Sequence, residues 1–110
     1  MIAVLYEIPD NPATLATWAA AHQAHHIDIA RRVFETRGVQ VFMAPLSPMD
    51  PERLDQWLGQ HQQIHREMDE KLGITSSNLT DVDWHDRAKL TTWIQKHAQE
   101  HYQAGQILGV

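Results

Sequence analysis

Apolar and aromatic residues recur every three or four positions in three separate stretches, which is the period of an amphipathic helix. The first stripe holds Leu15, Trp18, His22, His26, Ile29 and Val33. The second holds Leu54, Trp57, Leu58, His61, Ile64, His65, Met68 and Leu72, and the third Leu90, Trp93, Ile94, His97, His101 and Leu108. Asp, Glu, Gln, Lys and Arg fill the opposite faces. Laid over one another, the stretches share Leu-x-x-Trp-x-x-x-His-x-x-x-His without a gap, and Val33, Leu72 and Leu108 fall at one common offset beyond the second His. Such self-similarity marks a packing unit used three times.

Each unit carries its own start and stop. Asn11, Asp50 and Asp86 stand where a side-chain oxygen would accept orphan backbone N–H groups. Pro12 and Pro51 follow at the first helical position, where a missing N–H is harmless. Gly38, Gly73 and Gly109 come just beyond the last turns, as left-handed C-terminal residues do. The spacing predicts helices over residues 12–37, 51–72 and 87–108. Met1 to Ile8 and Val39 to Ala44 are β-branched and apolar, and Pro9 and Pro45 end them, so extended arms or a two-stranded ribbon are expected there. Leu46-x-x-Met49 and Leu79-x-x-Val82 are expected to anchor the two linkers on the bundle. The fold class is therefore all-α: one three-helix domain over residues 1–110.

Composition narrows the function. Cysteine is absent, so disulfides and thiolate metal sites are excluded. The formal net charge is −5 and the nine Lys and Arg are scattered, so no basic stripe for nucleic acid exists. No apolar run approaches the ~20 residues that span a bilayer, and Met1–Leu5 is too short for a signal segment. An intracellular protein without nucleic-acid or membrane partners is expected. No Gly-x-Ser-x-Gly or Gly-rich phosphate loop occurs, and no nucleophile is set up, so no enzyme activity and no cofactor are expected.

Eight histidines are the unusual component. The spacing places His22, His26, His61, His65, His97 and His101 on the apolar stripes, one and two turns after Trp18, Trp57 and Trp93. Two readings compete. In the first, which the threefold recurrence favours, these imidazoles form a buried polar core, hydrogen-bonded to one another, to Gln62 or Gln99, or to linker carbonyls. In the second they bind Zn, Ni, Cu or Fe, since imidazole suits those ions. His-Glu-x-x-His and Glu-x-x-His are both missing, and few carboxylates share the His face. The three Trp are expected in the core. Trp84 is expected to staple the third helix start or to make a partner contact. His25 and His85 lie outside the repeat and are expected at the surface. Asp81, Asp83 and Asp86 lack the rest of a calcium loop.

The repeated Leu-x-x-Trp-x-x-x-His-x-x-x-His helices, Leu72-Gly73-Ile74, Leu108-Gly109-Val110 and Leu79-Thr80-Asp81-Val82-Asp83 together resemble uncharacterised small helical proteins from the structural gene clusters of tailed bacteriophages. That resemblance covers nearly the whole chain and brings no catalytic residue with it. It implies a non-enzymatic phage protein, virion-associated or assembly-related, whose partners are other phage proteins or further copies of itself. Ile2, Val4, Tyr6 and Trp84 are then the contact candidates. Synthesis would be in the host cytoplasm, with a place in the virion for a structural component. A His-rich metal-binding protein is the alternative, and a host-directed phage inhibitor a further one.

Overall fold

The computed structural model describes residues 2–41, 54–83 and 85–110. Its elements are a short 3₁₀-helix, Ile2–Tyr6, and three α-helices: α1 (Pro12–Arg37), α2 (Leu54–Leu72) and α3 (Arg87–Leu108). This is the expected all-α, three-helix architecture. Asn11 caps α1 in a reciprocal box, its Oδ1 accepting from Thr14 N at 3.0 Å while Thr14 Oγ1 accepts from Asn11 N at 3.2 Å. Asp86 caps α3 by accepting from the N–H groups of Ala88 and Lys89. Asp50, Pro51, Leu46, Met49 and Trp84 lie outside the described residues. Gly38, Gly73 and Gly109 take φ of 68, 71 and 75°, the left-handed conformation that lets each helix stop.

Like residues of the three repeats meet in layers. Trp18 and Trp57 each pack on Trp93. The first His of each repeat touches the other two, as does the second His. Ile29, Met68 and Ala104 share the next layer, and Val33 and Leu108 the one after, with Leu72 beside them. Equivalent residues can meet at successive levels only if the helices run parallel. The chain between α2 and α3 must therefore return along the bundle. An extended chain covers ~3.3–3.6 Å per residue against 1.5 Å in a helix, so a linker shorter than the helix suffices. Leu79, fully buried, pins the second linker as expected: its N–H donates to Gln62 Oε1 and its carbonyl accepts from Trp93 Nε1.

One expectation fails, at the N-terminal segment. Residues 2–6 form a 3₁₀-helix instead of an extended arm, because Leu5 is drawn completely into the Trp layer and no strand exists among the described residues to pair with it. Val39–Val41 is irregular, with Val41 buried against the lower aliphatic layer, and residues 42–44 lie outside the described set.

Candidate metal centre

The six motif histidines are all buried, at 0–2% exposure, between two apolar clusters. Above them lie the Trp, with Leu58, Leu79, Leu90 and Ile94; below lie Ile29, Val33, Met68 and Leu108. Each first-layer imidazole stacks on the indole one turn before it: His22 on Trp18 (4.7 Å, 20°), His61 on Trp57 (4.6 Å, 11°) and His97 on Trp93 (4.8 Å, 7°). The indoles set ring orientation and exclude water. Desolvation is the main reason that His22, His26, His61, His97 and His101 are held well below the ordinary imidazole pKa, and neighbouring imidazoles add to it. His65 is lowered to about 4, again mainly by burial.

In the first layer three Nε2 atoms form a triangle. His22 Nε2 lies 3.1 Å from His61 Nε2 and 2.9 Å from His97 Nε2, and the third edge, His61 to His97, is 3.1 Å. Hydrogen bonding cannot satisfy this figure. Each Nε2 carries either one proton or one lone pair, so among three mutually adjacent nitrogens two must be alike. At least one edge then sets proton against proton or lone pair against lone pair, whichever tautomer or protonation state is chosen. His26 Nε2 stands 2.9 Å from His22 Nε2, which adds a fourth nitrogen.

The second layer offers free lone pairs. His65 Nδ1 lies 3.3 Å from Glu100 Oε1, and as the donor it leaves its Nε2 as a lone pair with no partner. His101 Nδ1 lies 2.7 Å from His25 Nδ1, and His101 Nε2 has no partner either. His22, His26, His65, His97 and His101 each present a ligand atom, all within 4.8 Å of one another. An ion bound at about 2.1 Å separates adjacent ligands by about 3.0 Å and opposite ones by about 4.2 Å, so this group can close on one ion with small ring movements. On the far side of the first layer, His61 Nδ1 and His97 Nδ1 have no hydrogen-bond partner.

Three residues differ from their sequence reading. His25 is buried at 7% exposure, not superficial, and burial lowers its pKa. It occupies the repeat position before the second His, where α2 has Ile64 and α3 has Glu100, and all three face inward. Glu100 and Asp69 are fully or almost fully buried against His65, so the His face carries carboxylates after all. Asp69 lies one turn beyond His65 on the same stripe. The column His25, Ile64, Glu100 was the available signal, because Ile64 was already assigned to the core.

Gln62 bonds the linker at Ser77 O and Leu79 N instead of an imidazole. Trp18 Nε1 and Trp57 Nε1 lack acceptors, whereas Trp93 Nε1 reaches Leu79 O. Of the contact candidates, Val4 is half-buried, Tyr6 is exposed with its hydroxyl toward Gln99 Oε1, and the side chains of Ile2 and Trp84 lie outside the described set. His85 is exposed. A cavity of about 230 Å³ opens onto His25 and His101 beside Gly105. No helix among the described residues is long and apolar enough to cross a membrane.

No family model, curated protein or solved structure matches the chain, so the likeness to the phage proteins stands on its motifs alone.

Proposed function

We propose that the protein is a metal-binding helical protein whose buried imidazole layers hold a divalent transition-metal ion of the Zn, Ni, Cu or Fe class. The observation that carries this reading is the triangle of His22, His61 and His97 Nε2 atoms. A cation at its face accepts all three lone pairs, which no arrangement of protons can reconcile. Burial supports it, because a site held between stacked indoles and aliphatic side chains keeps water from competing for the ion. The histidine–carboxylate contact at His65 is also a usual way to fix the tautomer of a ligating imidazole. The lowered pKa values keep the rings neutral, as ligands must be.

The test is metal analysis of tag-free protein purified without chelator, followed by calorimetric titration of the stripped protein with Zn(II), Ni(II), Cu(II) and Fe(II). At least one ion per chain, with a raised melting temperature, is expected. No binding of any of the four would overturn the reading.

Attachment to other phage proteins, or self-association, is a second reading and is compatible with a metal-filled core. Large apolar side chains left on the surface, Ile27, Phe34, Tyr102 and Ile107, support it. Sedimentation of a strict monomer at high concentration would remove self-association.

A further inference from the structure

The three repeats are not equivalent where they meet Glu100 and Asp69. Glu100 occupies the column of His25 and Ile64, and Asp69 the column of Ala30 and Gly105. Both departures fall beside one residue, His65, on the side where α2 faces α3. His65, Asp69 and Glu100 each offer a ligand atom within 4.8 Å of the other two, and all three are buried.

The donors around the two carboxylates are few and neutral. Ser76 Oγ donates to Asp69 Oδ2 at 2.9 Å, Ser77 N donates to Glu100 Oε2 at 3.1 Å, and His65 Nδ1 faces Glu100 Oε1. Asp69 Oδ1, in a side chain with no exposed surface, has no donor. No Lys or Arg among the described residues pairs with either group in an ion pair. Two adjacent carboxyl groups in a dry interior either share a proton or bind a cation, and ionised groups buried in this way are paired or coordinate metals.

We propose that Asp69 and Glu100, with His65 between them and the imidazole layers, hold a second divalent cation, so that the centre is dinuclear. The first position is nitrogen-rich and takes His65 Nε2; the second is oxygen-rich and takes Asp69 and Glu100 with His65 Nδ1, whose proton is released to solvent as the ion binds, leaving the ring as an imidazolate between the two ions. This inference rests on the metal-binding reading above. It adds a stoichiometry and an assignment of ligands. The oxygen-rich position suits a harder ion than the imidazole ring does, so one chain can take up two ions of different preference.

Co(II) is the probe. Stripped wild-type protein is loaded with excess Co(II), desalted, and its metal content measured beside its visible spectrum. Asp69→Asn and Glu100→Gln, singly and together, are treated identically after circular dichroism establishes their helix content. Two Co(II) per wild-type chain are expected, falling to one in the double variant with the absorption of the imidazole-bound ion retained. One Co(II) per wild-type chain overturns the dinuclear centre and leaves the first site standing. Two in both proteins overturn the assignment to these carboxylates. None in the wild type overturns this inference and the metal-binding reading together. If the double variant loses its helices, the single variants give the comparison.

Discussion

Among individual residues, the first-layer triangle separates a metal ligand from a core hydrogen bond most sharply. His61→Leu keeps a similar volume and removes two of the three nitrogen–nitrogen contacts. In metal-free protein an unsatisfied buried contact costs on the order of 1–3 kcal/mol. The variant should therefore be at least as stable as the wild type in urea, by up to about 1 kcal/mol, while its stabilisation by added metal shrinks. A hydrogen-bonded core would give the reverse sign, a loss in the metal-free state. The pH response is also set residue by residue. Unfolded histidines take up protons near 6.5, whereas His65 in the fold resists until about 4 and the other five motif rings lie well below 6.5. The unfolded state thus binds more protons across that interval, and stability rises with pH there. It is full above 6.5 and is lost as pH falls towards 4, with about 3 kcal/mol from His65 alone. Asp69 has the opposite sign, since its raised pKa lends stability at acid pH that fades as pH climbs to about 8. One carboxyl against six imidazoles leaves a net loss on acidification. The melting temperature of metal-free protein should drop clearly between pH 7.5 and 5, and a flat profile would mean the rings are hydrated.

At the scale of elements, stops and starts are local and should respond locally. Asn11→Ala removes the Oδ1 acceptor of Thr14 N, one half of the α1 capping box, while the backbone N–H at position 11 keeps its bond to Thr14 Oγ1, and should lower stability by about 1 kcal/mol in chemical denaturation. Gly38→Ala has open space for its methyl group, so its penalty comes from the left-handed backbone alone. A loss of about 1 kcal/mol without change in metal stoichiometry is expected. These elements were legible in the chain because capping, proline placement and a 3.6-residue period act over a few neighbours. The N-terminal segment was not. Its β-branched composition favours an extended chain, yet Leu5 finds its burial only by coiling against Trp18 and Trp93 in α1 and α3. Short segments take the conformation their tertiary anchor requires.

For the whole molecule, the consequence is coupling between metal and fold. The ligands come from all three helices, so the unfolded chain cannot present them together. A ligand bound only by the folded state at a thousand times its dissociation constant stabilises by about 4 kcal/mol. For a chain of this size that is a rise of roughly 15–30 °C in Tm. A chelator should reverse it. Because Trp18, Trp57 and Trp93 stack directly on ligating rings, Cu(II) or Ni(II) should quench most of their fluorescence at the equivalence point. Saturable binding without quenching would place the ion elsewhere on the surface.

Periodicity, caps and the threefold repeat determined from sequence alone that there are three helices, where they stop, and which faces turn inward, because each of these depends on residues within one or two turns. The tertiary structure decided how the faces meet. Parallel helices place like against like, so that three imidazoles share one point instead of pairing off in donor and acceptor roles. They also turn His25 and Glu100 inward, although no periodic argument restricted to one helix had marked them. A nitrogen triangle and a buried carboxylate pair are relations between helices far apart in sequence, and only packing brings them into contact.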